Sequence, residues 1–469
     1  LRESIPLIGA ANVWATYGYH GEGVGVAVLD TGIDATHADL LLGQKTVENI
    51  KIVGLQYAAG QDLDSLGLPA IYVEDVSNTD TSSGHGTHVA GIVGASGQAS
   101  GGYYRGVAPS AKLIGLGAGE VIEIFTALAG FDWVLAHKND RQLNLRVVNC
   151  SWGNIVPGFD PNNPVNAASR RVHDAGIAVV FAAGNSGAGT DMLNTYSVAP
   201  WVIGVAAGDK DGQTVSFFSS RGIPGDDFYH PTLTAPGNLI VSNRASTGAA
   251  VSGSSTALDP IYVPAQYIPY YTTAAGTSMA APHVAGTIAL MVQAKPSLTP
   301  DVIKRVLVNT ATPMPDFQEY AAGAGYLNAK AAVDTARKIT HIRSYRDPRT
   351  GKTEQVNDLT ETWTGTVGAR APGVEAHDSR TVEVQPGTLS LEVTLDWSIY
   401  ANDLNLYLYD PQGNLAAASE TPNAVYQSAS ERVHVNNPVA GTWAVNVSGL
   451  LNTPQAYHAA SNAVVLVNP

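Results

Sequence analysis

One cysteine in 469 residues leaves this chain unable to form an internal disulfide, so packing and hydrogen bonds must hold its fold. Charge is also scarce: Asp, Glu, Lys and Arg together make up 14% of the sequence. Cations are fewer than anions, 26 against 40, for a net charge of −14. That balance argues against nucleic acid and anionic membranes as partners, because both would repel the protein. The longest apolar stretch, from Met279 to Val292, is broken by Pro282 and His283. It is too short to span a bilayer, which takes about 20 residues. Leu1-Arg2-Glu3-Ser4 offers neither an initiating Met nor a signal-like apolar core, so the expectation is a chain that begins after processing. Cys150 ends the run Val147-Val148-Asn149-Cys150, which reads as a buried strand and makes its thiol a core group rather than a nucleophile.

Apolar residues, in contrast, make up 45% of the chain, ample for buried cores. Its length exceeds the roughly 250–300 residues at which a single core stops growing, so more than one domain is expected. Continuous apolar runs at 24–29, 112–116, 147–150, 177–182 and 201–205 read as buried parallel strands. Helical segments fall among them at 85–93, 121–137, 165–174, 278–293 and 299–309. The last is marked by Thr299 as N-cap and Pro300 at the first helical position. This alternation predicts an α/β domain with a doubly wound, mostly parallel sheet over residues 1–340. Residues 341–375, rich in Thr, Gly, Pro and charge, are expected to be a linker or irregular lead-in. From 376 to 469 the period changes to two: Leu389, Leu391, Val393, Leu395 and Trp397, then Leu404, Leu406 and Leu408, then Trp443, Val445 and Val447. That pattern predicts an antiparallel β-sandwich or jelly roll.

Three short segments carry candidate chemistry, in the order Asp, His, Ser. Asp30 ends an apolar strand in Val28-Leu29-Asp30-Thr31-Gly32, at the carboxyl end where α/β sheets form ligand crevices. His85 opens a helix between Gly84 and Gly86. Ser278 opens another in Gly276-Thr277-Ser278-Met279-Ala280, where free N–H groups favour developing negative charge. Each residue alone has a bland reading as strand-end Asp, capping His or N-cap Ser. Together they form the set needed for nucleophilic acyl transfer, in which serine attacks, histidine shuttles the proton and aspartate orients the imidazole. Asn185, in Ala182-Ala183-Gly184-Asn185-Ser186-Gly187, also follows a buried strand and can donate to an oxyanion.

In these motifs residues 1–340 resemble the subtilisin-like serine proteases. The resemblance rests on Asp30-Thr31-Gly32-Ile33, on His85-Gly86-Thr87-His88-Val89-Ala90-Gly91 and on the run from Gly276 to Gly286, all in the family's Asp, His, Ser order. It implies a subtilisin-like fold and a secreted serine endopeptidase acting on polypeptides. Broad specificity is expected, with some preference for large apolar residues before the scissile bond. It further implies that Ser151, Trp152 and Gly153 pair with an extended substrate, that Gly115, Leu116 and Gly117 begin the opposing edge, and that Ala183 and Gly184 line the pocket. The segment 376–469 is similar to pre-peptidase-type modules that follow secreted proteases. A propeptide as maturation partner and a monomeric state are implied likewise.

Departures from the family pattern concern calcium and two insertions. The stretch 95–102, where subtilases often bind calcium, contains no carboxylate, and Asp39 alone cannot build a site of six to eight oxygens. Structural calcium is still expected, and Asp209 with Asp211, Asp226 and Asp227, or Asp396 with Asp403 and Asp410, are its candidate ligands. Turn aspartates are the competing explanation. Residues 57–81 carry Asp62, Asp64, Glu74, Asp75 and Asp80, as a calcium or substrate-facing loop or simply a solvated one. Residues 246–273, with Tyr262, Tyr267, Tyr270 and Tyr271, fit either a rim over the site or a packed surface loop. Two other function classes fit the sequence less well. An α/β-hydrolase esterase needs Gly-x-Ser-x-Gly and the order Ser, Asp, His, which this chain lacks. A binding protein with a retired protease domain would be free to lose the four candidate residues, which are all present.

Overall fold

The computed structural model describes residues 1–53, 71–119, 122–154, 158–226, 228–247, 251, 257–346, 353–368, 376–399, 402–420, 429–451 and 454–466. Two compact units emerge, Leu1–Ala336 and Arg337–Pro469.

The first unit is built on strands β1 Gly25–Asp30, β2 Thr46–Val53, β3 Ile71–Val73, β4 Lys112–Gly117, β5 Leu145–Cys150, β6 Ala178–Ala182, β7 Val202–Gly208 and β8 Leu233–Pro236. They form one sheet in the order β3-β2-β4-β1-β5-β6-β7-β8. Every neighbouring pair is parallel except β2 and β3. β1, β6 and β7 are buried at every position, which is why they read as unbroken apolar runs rather than alternating ones. A separate antiparallel pair, β9 Ile240–Asn243 and β10 Tyr271–Ala274, precedes the serine segment.

Helices of eight residues or more in this unit are α1 Ala10–Tyr17, α2 His85–Gly94, α3 Ile124–Ala136, α4 Pro164–Asp174, α5 Thr277–Ala294, α6 Pro300–Thr310 and α7 Ala329–Lys338, the last running two residues past the unit's end. α4 shows how sequence sets such an element. Asn163 caps it by accepting from the Val165 N–H at 3.0 Å, Pro164 fills the first position, and Val165, Ala168 and Val172 form the buried face. α5 is apolar nearly all round and packs against α2 and against β5, β6, β7 and β8. The helix expected over 121–137 starts at Ile124; Val121 lies outside the described residues.

The second unit holds a five-stranded sheet, β11-β12-β19-β14-β17, and a four-stranded sheet, β13-β18-β15-β16. Its strands are β11 Ile339–Arg346, β12 Thr353–Val367, β13 Ala376–Val384, β14 Thr388–Trp397, β15 Asp403–Tyr409, β16 Leu415–Ser419, β17 Ser430–Asn436, β18 Gly441–Leu451 and β19 Gln455–Leu466. All pairs are antiparallel. Leu391, Val393 and Leu395 of one sheet and Leu404, Leu406, Leu408, Trp443 and Val445 of the other share one core, so the unit is an antiparallel sandwich. One expectation is corrected. Much of 341–375 is strand, in β11 and β12, rather than linker. Exposed Thr362, Thr364 and Thr366 alternate in β12 with inward Trp363 and Val367. Threonine is a β-branched strand former, and its polarity masked the period of two.

Candidate active site

Asp30 is the last residue of β1 and is fully buried. One carboxylate oxygen, Oδ1, receives the Thr31 N–H at 2.8 Å and lies 2.6 Å from His85 Nδ1. His85 is the first residue of α2, entered through Gly84 at φ 79°, a left-handed conformation that glycine adopts without strain. Its neighbour Gly86 is forced by contact rather than by conformation: a Cβ there would lie 2.2 Å from the Gly32 carbonyl oxygen. The two glycines thus let the helix start sit directly against the loop that carries Asp30. The His85 side chain keeps 23% of its surface exposed, enough to meet a ligand. Burial disfavours its charged form, but the Asp30 charge and hydrogen bond, with Asp80 beyond, outweigh this and raise its pKa. With Nδ1–H directed to Asp30, Nε2 is left as the proton acceptor.

Ser278 lies in the first turn of α5, and its hydroxyl donates to the Ser151 carbonyl at 2.9 Å. The turn is held from behind through Pro282, which has no N–H to give the Ser278 carbonyl four residues back. Ser151 Oγ supplies that hydrogen bond instead, at 2.8 Å. Serine and proline thus fix the first turn of α5 against the end of β5. Asn185 is held to the same turn, its Oδ1 accepting from the Thr277 N–H at 2.8 Å and from Thr277 Oγ1 at 3.0 Å. With the oxygen occupied, the Nδ2 group remains to donate. Thr277 was missed by sequence reasoning, which treated it only as spacing between Gly276 and Ser278.

The residues expected to bind substrate differ in exposure and pairing. Ser151 is buried, Trp152 is half-buried with its indole N–H on the Leu29 carbonyl at 2.8 Å, and Gly153 is exposed just past β5. Gly115, Leu116 and Gly117 cannot form an edge for substrate. They pair with Val28, Leu29 and Asp30 on one side and with Asn49, Ile50 and Lys51 on the other, so both edges of β4 are occupied. Gly184 is half-buried, but Ala183 is fully enclosed with Leu193 and Val198 and lines no open wall. Another residue that sequence reasoning passed over, Asn194, bridges the two strand ends. Its amide donates to the Trp152 and Ala182 carbonyls at 3.1 and 2.8 Å.

The aspartates offered for calcium do not assemble. Asp403 and Asp410 sit at the two ends of β15, whose seven residues separate them by about 20 Å, while Asp396 is on the other sheet. Asp410 accepts from the Gln412 and Asn414 N–H groups, Asp211 from those of Gln213 and Thr214, and Asp226 from those of Phe228 and Tyr229. Asp209 accepts from Ser216 and Asn238. Asp211, Asp226 and Asp410 are thus carboxylates spent on their own turns, and Asp209 on side chains further along the chain. Among the described residues no three His, Cys, Asp or Glu side chains gather as metal ligands; Asp62, Asp64 and Asp227 lie outside those residues. Asp39, fully buried, takes three protein donors: the Ala99 N–H at 2.8 Å, Asn243 Nδ2 at 2.9 Å and the Tyr271 hydroxyl at 2.6 Å. This donor set fits a buried carboxylate satisfied by the protein and leaves no oxygen cage for a metal. Nor is any described helix long and apolar enough to cross a membrane.

Both units of the chain are similar to known proteins. Residues 21–339 match the model of the subtilase family, and residues 377–449 that of the bacterial pre-peptidase C-terminal domain. Serine protease AprX of Bacillus subtilis is 33% identical over 67% of this chain and 66% of its own length. The chain therefore spans just under two thirds of that relative. Subtilisin DY of Bacillus licheniformis is 32% identical over 70% of this chain and 97% of its own. Subtilisin Savinase of Lederbergia lenta is 34% identical over 67% and 92%. Among solved structures, one titled S41 psychrophilic protease aligns with a TM-score of 0.50 and 26% identity, over 67% of this chain and 96% of its own.

Proposed function

The chain belongs to the subtilase family, as a subtilisin-like serine endopeptidase, and we propose that it cleaves polypeptides through an acyl-enzyme on Ser278, with His85 as base and Asp30 as its partner. The observation that carries this reading is the 2.6 Å contact between His85 Nδ1 and the buried Asp30 carboxylate. It fixes the imidazole tautomer so that Nε2 can take a proton.

In this reading the Ser278 hydroxyl leaves the Ser151 carbonyl for His85 Nε2, which takes the hydroxyl proton as Oγ bonds to the scissile carbonyl carbon. The resulting imidazolium is stabilised by Asp30. The negative charge that forms on the carbonyl oxygen faces the start of α5 and receives the Asn185 Nδ2–H. Collapse expels the amine, which leaves with the proton from His85. Water then attacks the ester, giving its proton to Nε2, and Ser278 departs by taking that proton back. Asn185 can serve because Thr277 holds its oxygen and turns the amide so that only N–H is available.

Substrate in this reading lies along exposed Gly153 and the neighbouring Ser151 and Trp152 as an added strand, with Gly184 beside the side chain that precedes the scissile bond. Specificity is broad, with a preference for large apolar residues there. The enzyme is taken to be secreted, matured from its own propeptide and monomeric, in keeping with the family resemblance. No step is routed through calcium.

Hydrolysis of casein and of a small peptide panel by the intact chain and by Ser278→Ala tests the reading. The variant is expected to fold and to lose about 10⁴-fold or more in turnover. Retained hydrolysis by Ser278→Ala would overturn it.

A further inference from the structure

Behind the Asp30–His85 pair lies a second buried carboxylate, Asp80, only 1% exposed. Its Oδ1 receives Thr31 Oγ1 at 3.0 Å and the Gly84 N–H at 2.9 Å. Its Oδ2 receives the Thr87 N–H at 2.9 Å and Thr87 Oγ1 at 2.6 Å. The direction of the two hydroxyl bonds is fixed from outside. Thr31 Oγ1 already accepts the Gly86 N–H at 2.8 Å, and Thr87 Oγ1 accepts the Asp34 N–H at 2.9 Å, so each gives its own hydrogen to Asp80. Four donors converge on one carboxylate and favour its ionised form, against a burial that outweighs them and raises its pKa.

The donors come from two chain segments that must meet for the site to exist. Thr31 follows Asp30 directly, while Gly84 and Thr87 bracket His85 at the start of α2. The backbone is pressed together at the same place: a Cβ on Gly32 would lie 2.4 Å from the Thr79 carbonyl carbon and 2.7 Å from the Asp80 nitrogen. Resting on the proposed endopeptidase reading, we propose that Asp80 is a positioning residue for that reaction, joining the loop of Asp30 to the helix start of His85 and supporting the imidazolium with its charge.

The titratable neighbours of His85 on the elements packed around it are few. Asp30 and Asp80 both raise its pKa, against the pull of burial. His88, buried on the same helix, has its pKa lowered to about 3 by burial and then by the His85 charge. His283 on α5 is likewise lowered to about 3, by burial. Both therefore stay neutral where a serine hydrolase works. Lys51 on β2 sends its ammonium to the Thr79 carbonyl at 3.0 Å. Removing the Asp80 charge thus takes away one of two anions that favour protonated His85, and the His85 pKa falls.

The test compares wild type, Asp80→Asn, Asp80→Glu and Ser278→Ala through the pH profile of kcat/KM on one peptide substrate. Asp80→Asn is expected to lower kcat by about tenfold to a hundredfold with little change in KM. It should also move the acid limb down by about half a pH unit. Asp80→Glu keeps the charge and returns the acid limb to its wild-type position, with kcat still reduced because the clamp is misplaced. An acid limb that does not move in Asp80→Asn overturns the proposal, because a purely structural loss would lower the rate without shifting the limb. Should Asp80→Asn fail to fold, His85 can be titrated by NMR in Ser278→Ala and in Ser278→Ala/Asp80→Glu. Matching pKa values together with reduced kcat in Asp80→Glu support the proposal, whereas unreduced kcat overturns it. If Ser278→Ala is inactive and Asp80→Asn unchanged, this inference alone fails; if Ser278→Ala hydrolyses normally, the endopeptidase reading fails with it.

Discussion

Tyr271→Phe isolates one hydrogen bond to a buried charge and tests whether this corner of the fold depends on metal. Tyr271 is fully buried on β10 and donates at 2.6 Å to Asp39, itself without exposed surface. Burial and then the hydrogen bond to Asp39 push the phenol pKa up, so it remains a donor throughout the alkaline range. Phenylalanine keeps the ring against Tyr104, at 4.6 Å between centroids, and opens no cavity of consequence. The loss is therefore that of a hydrogen bond to a charged acceptor, about 1.5–3 kcal/mol. For the unit Leu1–Ala336, an unfolding entropy of about 2.1 cal/mol/K per residue gives roughly 0.7 kcal/mol per degree. A fall in Tm of about 2–4 °C follows. Scanning calorimetry should be run in the Ser278→Ala background, to suppress self-cleavage, at one scan rate, in calcium and in chelator. The same fall is expected in both. An unchanged Tm would refute the assigned bond, and a fall that calcium reverses would mean that Asp39 binds a metal ion.

Two further outcomes follow from the site. His85 must be neutral to accept the serine proton, and its pKa is raised, so activity is lost as pH falls through that raised value. The acid limb of kcat/KM should have its midpoint above about 6.5, the ordinary histidine value, and a midpoint at or below it would contradict the arrangement. Gly86→Ala would drive a Cβ to 2.2 Å from the Gly32 carbonyl oxygen. It should cost about 1–3 kcal/mol of stability and, by shifting His85 from Asp30, about a hundredfold in kcat; wild-type melting and turnover would refute the contact.

The parallel sheet was legible because strands covered on both faces are buried at every position and so read as apolar runs, as β6, β7 and β1 up to Asp30 do. The closeness of Asp30 and His85 was legible for a related reason: both lie where an element begins or ends, beside glycines whose neighbours needed room. What periodicity could not give was partnership. Whether Gly115 to Gly117 faced a free edge depended on β2, a strand no pattern announced, and β12 was hidden by the exposed Thr362, Thr364 and Thr366. The aspartates show the limit most clearly. Asp211, Asp226 and Asp410 each receive N–H groups from residues two to four positions on, and a turn reading describes them completely. Asp80 occupies an equally turn-like stretch, yet one of its donors lies 49 positions away, on the strand-end loop of Asp30. A buried carboxylate that draws donors from distant segments does more than close its own loop. It fixes the distance between those segments, and here that distance is the one across which His85 meets Asp30.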